Sequence, residues 1–595
     1  MIIPLLPDDC IHEIFQYLQN DRTTLYQCLF VNKFWCGYVV PLLWKQPFSN
    51  FRCWEFIIRT YLDCLQPQEL LNLKPFNLSI PNSSLPPLFQ YERYLESFSN
   101  SDMEIGIISW LRTNEVVSFN NNNNSNNKMV SLNDERIRPI MRSLWQMFLS
   151  RSKNLRHLTI NTGFGTSDLP EISLFQEIES SSSSYPRLSK LKSLDCCIGH
   201  KSHEIQNYKN TMNFLQNWGM ICKSLKRIWV SVYEENIAAQ DLISNIIESQ
   251  KYLSEFKFTG AGNITENVIT SLKYNSQFLI TLKFWMLRLD GVSFEGLSSL
   301  KTLESLDIQW CEGITIKQCK FLSEAKFKLK SLSLWENTLS PEITSILIEK
   351  AGDTLLDLKF DIITMETIES ASKYCPNIIN LCTITKKESY DYLFPWIKKL
   401  KLKKLDFYSS GIDLSEGIRL LGENISPTLT YLNFDYISCT PESFEYFLKL
   451  CKAPLTTLVI VFSKEFIDNC LERIKDFVVE RKSMRNLVFV CTPILWLKWS
   501  KRELEIIKIM EKYGLKVVKS ISPPLTTLVI VFSKEFIDNC LERIKDFVVE
   551  RKSMRNLVFV CTPILWLKWS KRELEIIKIM EKYGLKVVKS ISRKF

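Results

Sequence analysis

Residues Leu303–Thr315 read LESLDIQWCEGIT, and the spacing of Leu303, Leu306 and Ile308 decides the fold. Side chains alternate across a strand, so Leu306 and Ile308 share one face while Asp307 and Gln309 take the other. The phrase Leu-x-x-Leu-x-apolar recurs upstream as Leu155/Leu158/Ile160, Leu191/Leu194/Cys196, Leu225/Ile228/Val230, Leu253/Phe256/Phe258 and Leu279/Leu282/Phe284. Downstream it returns as Leu329/Leu332/Leu334, Leu355/Leu358/Phe360, Ile378/Leu381, Leu402/Leu405/Phe407, Leu429/Leu432/Phe434, Leu455/Leu458/Ile460 and Met484/Leu487/Phe489. From Leu225 the intervals are 28, 26, 24, 26, 26, 23, 24, 27, 26 and 29 residues, a spacing that chance does not hold through eleven phrases.

A period in the twenties with this phrase is the leucine-rich-repeat signature. Each repeat contributes one short parallel strand and a helical return. No repeat can bury its apolar face alone, so stacking is what makes the core continuous. The expected fold is α/β, with parallel strands inside and helices outside a solenoid. Cys311 and Ile314, just after the quoted strand, resemble the cysteine-containing repeats frequent in F-box proteins.

The chain opens MIIPLLPDDCIHEIFQYLQNDRTTLYQCLFVNKFWCGYVVPLLWKQPF, residues 1–48. Pro7 followed by Asp8 and Asp9 suits a helix start, and Ile11, Ile14, Phe15 and Leu18 then form one apolar stripe. Two further short apolar segments follow, around Leu25–Val31 and Phe34–Val39. Three short helices bury little on their own, and their surplus of apolar positions points to a partner surface.

The leading Leu6-Pro7, the spacing to Ile11, Ile14 and Leu18, and the Val31-Asn32-Lys33-x-Trp35 run resemble the F-box motif. The motif often carries Ser or Cys before its basic residue, where this chain has Asn32. The resemblance covers about residues 4–48 and implies docking to the Skp-type adaptor of a Skp–cullin–F-box ubiquitin ligase. The rest of the chain would then choose the substrate. By motif match the adaptor-binding residues are Leu6, Pro7, Ile11, Ile14, Leu18, Leu29, Val31 and Trp35.

The expected domains are an F-box at 1–48, a helical linker region at 49–150, the repeat solenoid at 151–522 and a tail at 523–595. The linker region shows helical patches around Phe51–Leu62 and Arg136–Leu149, and an asparagine tract at 120–127 that reads as a disordered loop. The tail is a copy: residues 524–592 repeat residues 454–522 letter for letter. Each copy reads strand, helix (Lys464–Glu480 in the first), strand, helix (Lys501–Tyr513), strand, and the second is expected to fold like the first and to carry no separate function.

The net charge of +10 invites a nucleic-acid reading, but each copied block carries 13 Lys/Arg and 8 Asp/Glu, so the two supply the whole excess with both signs interleaved. Interleaving marks a solvated helix face rather than a phosphate-tracking stripe, and no nucleic acid is expected. No apolar run reaches the length of a membrane span and no basic signal-peptide region opens the chain, so neither a membrane nor export is expected. The 18 scattered cysteines then read as thiols in a reducing compartment, cytoplasmic or nuclear.

Catalytic constellations are hard to assemble from four histidines, His12, His157, His200 and His203. The compressed Cys196-Cys197-x2-His200-x2-His203 run lacks the paired spacing of a zinc site, and there is no phosphate-binding glycine loop. No cofactor, no metal and no enzymatic activity are expected. What the repeats offer is a binding face. Outward positions of the phrase place Trp229, Trp285, Gln309, Trp335, Asp361, Tyr408 and Asp435 on the exposed side of the sheet as candidate substrate contacts. Trp285 and Trp335 could equally tuck against neighbouring repeats. The competing reading of the whole chain is a repeat scaffold whose N-terminal bundle only caps the stack. A cap would bury Ile14, Leu18 and Trp35 against the first repeats, and a docking bundle would leave part of that stripe exposed on a flexible connection.

Overall fold

The structure, a computed structural model, describes residues 8–19, 21–49, 54–76, 78, 87–119, 134–162, 169, 190–199, 205–232, 236–260, 262–320, 322, 325, 327–409, 413–435, 438–461, 464–480, 483–490, 501–512, 516–519, 527–532, 556–561 and 586–590. The asparagine tract and His200 and His203 lie outside these residues. Two compact units are present, Met1–Lys328 and Leu329–Phe595.

The first unit begins with three helices, α1 (Asp8–Tyr17), α2 (Arg22–Cys28) and α3 (Lys33–Leu43). Four more follow: α4 (Trp54–Asp63), α5 (Pro67–Leu71), α6 (Asn100–Phe119) and α7 (Ile137–Arg151). Gly106 lets α6 lie close on α4, since a Cβ there would meet Ile58 Cγ1 at 3.0 Å. The strands are β1 (Ser97–Ser99), β2 (His157–Asn161), β3 (Ser193–Ile198), β4 (Arg227–Val232), β5 (Glu255–Gly260), β6 (Thr281–Trp285) and β7 (Ser305–Gln309). All pair parallel in chain order.

Register puts the second leucine of each phrase in one line. Phe98, Leu158, Leu194, Ile228, Phe256, Leu282 and Leu306 are successive ladder partners, all at most 2 % exposed. Helices such as Ile205–Ile221 and Ile237–Ser249 close the core from the other side with Phe214, Trp218, Ile243 and Ile247. Fully burying each such side chain stabilises by roughly 1.5–3 kcal/mol.

The second unit repeats the plan with β8 (Ser331–Trp335), β9 (Asp357–Phe360), β10 (Asn380–Thr385), β11 (Lys404–Ser409), β12 (Tyr431–Asp435), β13 (Thr457–Val461), β14 (Asn486–Val490) and β15 (Lys516–Lys519). Its apolar line runs Leu332, Leu358, Leu381, Leu405, Leu432, Leu458 and Leu487. Helices at Lys464–Glu480 and Lys501–Lys512 alternate with β13, β14 and β15 in the order read for the copied block. A separate three-stranded parallel sheet follows, β16 (Thr527–Phe532), β17 (Asn556–Cys561) and β18 (Lys586–Ser590).

A second ladder ties strand starts together. The carbonyl before each strand accepts the N–H of two successive residues in the next repeat: Glu96 from Arg156 and His157 (2.9 and 3.0 Å), Lys192 from Lys226 and Arg227 (2.8 and 3.0 Å). In the second unit Lys403 accepts from Thr430 and Tyr431 in the same way (2.9 and 3.0 Å). The architecture is α/β, a three-helix bundle followed by leucine-rich-repeat stacks with strands on one side and helices on the other.

One difference from expectation lies at the start. The parallel ladder begins at β1, ahead of residue 151, inside the stretch read as a helical linker.

Candidate functional site

The N-terminal bundle is set by its caps. Asp21 caps α2, accepting from the Thr24 N–H (3.0 Å) and the Thr24 hydroxyl (2.7 Å). Asn32 caps α3 by accepting from the Trp35 N–H at 2.8 Å. Asparagine is among the best N-cap residues, so the residue this chain carries here starts the helix well. Inside the bundle, Ile11, Phe15, Leu25, Cys28 and Val39 are buried, with Leu18, Leu29, Trp35, Tyr38, Leu42 and Leu43 packed around them. Phe15 is the hub, edge-on to Trp35 (5.3 Å) and stacked on Tyr38 (6.4 Å).

The residues nominated by motif match divide accordingly. Ile11 lies in the core, and Leu18, Leu29 and Trp35 are partly buried on its rim. Ile14 is 46 % exposed and Val31 54 %. Leu6 and Pro7 lie outside the described residues. Around Ile14 and Val31 the structure adds residues that periodicity alone did not select: Tyr17 is 86 % exposed and Phe30 74 %, with Tyr26 and Phe34 exposed as well. Tyr26 and Phe30 form an edge-on pair at 5.3 Å, and Phe34 meets Tyr38 at 5.1 Å. A bundle of this size thus spends one apolar set on its core and leaves a second set in water.

The bundle is not loosely tethered. The Arg22 guanidinium donates to the carbonyls of Leu43 (2.8 Å) and Gln46 (3.0 Å) and to the Ser49 hydroxyl (2.7 Å). Burial holds this guanidinium below its ordinary range. Trp44 then packs on Tyr61 and Tyr91, and the Trp54 indole donates to the Phe48 carbonyl at 2.9 Å. The Lys45 carbonyl accepts from Glu96 (2.8 Å) and Ser97 (3.1 Å), the same paired bond that joins one repeat to the next. The segment after α3 therefore supplies the rung before β1. A flexible connection, the form expected of a docking bundle, is replaced here by a fixed one.

The candidate substrate face is the outward side of the strands. In the first unit the Trp229 indole donates to Glu255 (3.2 Å), and Arg227 (4.5 Å) and Lys257 (5.4 Å) both lie over its ring. Lys257 also rests over Trp285 at 4.6 Å. Burial, and Lys283 alongside, hold the Lys257 ammonium below the usual lysine range. Trp285 is 39 % exposed, and Gln309, its ladder partner, donates to Asp307 at 2.7 Å. Such cation–ring contacts contribute roughly 0.5–2 kcal/mol each and hold the indoles in fixed poses.

In the second unit Trp335 is only 8 % exposed, edge-on to Tyr408 at 4.9 Å and covered by Lys359 at 4.6 Å. Of the two readings open for Trp285 and Trp335, Trp335 takes the packed one. Asp361 accepts the Glu336 N–H at 2.9 Å, and burial pushes its carboxyl above the usual range. Asp435 is the ladder partner of Tyr408, its side chain lying outside the described set.

Among the described residues no three His, Cys, Asp or Glu gather as metal ligands, and no helix is long and apolar enough to cross a membrane. The Cys311 thiol is buried, donates to the Gln309 carbonyl (3.3 Å) and is pushed up to about 12 by burial, far from a reactive thiolate. Cys196 is likewise buried and raised.

The F-box-like family profile matches residues 3–50. No curated protein sequence matches the chain. Among solved structures, a chain of the yeast Rad7 and Elc1 complex resembles it at 15 % identity over 70 % of this chain and 92 % of that one, with a TM-score of 0.33. An internalin (InlF) from Listeria monocytogenes resembles it at 13 % identity over 58 % of this chain and 92 % of that one, with a TM-score of 0.28.

Proposed function

We propose that the chain is the substrate-binding subunit of a Skp–cullin–F-box type ubiquitin ligase, its bundle docking the Skp-type adaptor and its repeats holding a protein substrate. The observation that carries this reading is the second apolar set of the bundle. Ile14, Tyr17, Phe30, Val31 and Phe34 stand exposed within a domain of the F-box-like family whose own core is already complete. Exposed aromatics concentrated in so small a bundle mark a protein interface. Work of this kind needs no active site: the chain raises the effective concentration of substrate beside the ligase's catalytic partner. The outward tryptophans and mixed charges of the repeat face suit a protein substrate.

The capping reading has one specific observation in its favour, the Lys45 carbonyl completing the ladder ahead of β1. Capping and docking use different residues, however, and the same bundle can do both. The test is capture of a purified Skp-type adaptor by the immobilised full chain, beside a Leu6→Ala/Pro7→Ala variant. Adaptor retained by the unaltered chain and lost by the variant supports the reading. An unaltered chain that retains none leaves the bundle as a cap.

A further inference from the structure

The duplicated block has a structural consequence at its junction. In the first block, β13 pairs on its near edge with β12, in the register Tyr431 to Thr457 through Asp435 to Val461, and on its far edge with β14. In the second block, β16 pairs with β17, and β17 with β18, in registers that repeat those of β13, β14 and β15 seventy positions on: Thr457 with Asn486 becomes Thr527 with Asn556, and Asn486 with Lys516 becomes Asn556 with Lys586. The near edge of β16 therefore has the backbone and the sequence that accept a preceding repeat strand in β13. Among the described residues nothing pairs with it, nor with the far edge of β15, the last strand of the series that begins at β8.

Within one chain these two edges cannot meet as parallel neighbours. Residues 520–526 are all that separate Lys519 from Thr527, whereas parallel neighbours require a crossover of about a dozen residues or more. The connection from Asp435 to Thr457, which does carry a parallel pairing, spans residues 436–456 and includes a helix. β16 reads TLVIVF, and an open edge on so Val- and Ile-rich a strand is a template for another chain; β15 reads KVVK and offers two valines between lysines.

We propose that the occupant is a second copy of this chain, with β16 of one molecule pairing parallel on β15 of another. The second block of the first molecule then takes the next repeat position in the stack of its neighbour. The contact is heterologous. Reciprocal exchange between two molecules closes a dimer, and one-way addition extends an open series.

The test exploits the identity of the blocks. Deleting residues 523–592 leaves one intact block in its natural order behind β12, so the repeat stack keeps its cap. Sedimentation of the full chain at micromolar concentration should show an average mass about twofold or more above the monomer, and the deleted chain should run as a monomer. The deleted chain still offers an open β15 edge, so a tagged full chain should retain it when the two are mixed. A second variant, Val529→Pro/Ile530→Pro in the full chain, removes N–H donors from β16 and should abolish association without touching the first block. A full chain that sediments as a monomer overturns the proposal. So does association that survives the double proline variant, even where the deletion abolishes it.

Discussion

The indole of Trp35 meets the ring of Phe15 edge-on, centroids 5.3 Å apart and planes at 87°. This contact commits the tryptophan of the motif to holding α1 against α3, and leaves neighbouring side chains to face a partner. Trp35→Ala should open the bundle, raising amide exchange across α1–α3 by tenfold or more, in line with the roughly 3–5 kcal/mol that large aromatic truncations cost in full cores. Ile14→Ser and Phe30→Ser remove exposed groups and should leave exchange unchanged. Equal exchange in all three variants would mean that the Phe15–Trp35 contact does not hold the bundle.

Asn32 offers a finer test of the same region. Asn32→Ala removes the acceptor for the Trp35 N–H and should cost about 1 kcal/mol, read as faster exchange in the first turn of α3. Asn32→Ser should restore protection, since serine caps as well. An alanine variant as protected as the parent would show that the cap is not made in solution.

Trp335 and Trp285 occupy equivalent strand positions with opposite surroundings. Trp335→Ala leaves a void between Tyr408 and Lys359 and should lower the stability of the second unit by roughly 2–4 kcal/mol. Trp285→Ala removes a ring that is 39 % exposed and should cost under about 1 kcal/mol. Protease susceptibility of strands β8–β11 against β5–β7 reads the difference. A Trp335 variant as resistant as the parent would return that residue to the binding face.

The imidazole of His157 is held below its ordinary value of 6.5, first by burial and then by Arg227, with Asp195 and Glu96 opposing. A depressed value means that the folded chain takes up the proton less readily than the unfolded one. Its stabilising contribution is therefore present above pH 6.5 and is lost as pH falls through the folded value. His157→Gln should flatten this acid-side decline of the first unit. An identical pH profile in the variant would exclude the imidazole as its source.

The repeats were legible because their signal is local and periodic: Leu-x-x-Leu-x-apolar states both the strand and its buried face within six residues. β1 escaped because its version of the phrase, Leu95/Phe98, ends in Asn100, where every other phrase but Ile378/Leu381, which ends in Thr383, closes on an apolar residue. That side chain is buried all the same, donating to the Asn161 carbonyl (3.1 Å) and accepting the Asn161 N–H (2.7 Å). Sequence alone could not show that a polar residue would find both partners one repeat away. In the bundle, the apolar surplus was readable, but which residues it would leave exposed depended on how three helices share one core. Ile11 went inside, while Tyr17 and Phe30 stayed out. The Trp335–Tyr408 contact was beyond reach for another reason: β9 and β10 lie between the two strands that carry it.

The most direct measurement is a calorimetric titration of a purified Skp-type adaptor into the full chain and into an Ile14→Ser/Phe30→Ser variant, with amide exchange confirming that α1–α3 stay folded in both. Saturable binding by the parent is expected, with an affinity weakened by about a hundredfold or more in the variant, as for loss of two interface anchors. No binding by the parent, or equal affinity in the variant, would contradict the docking role.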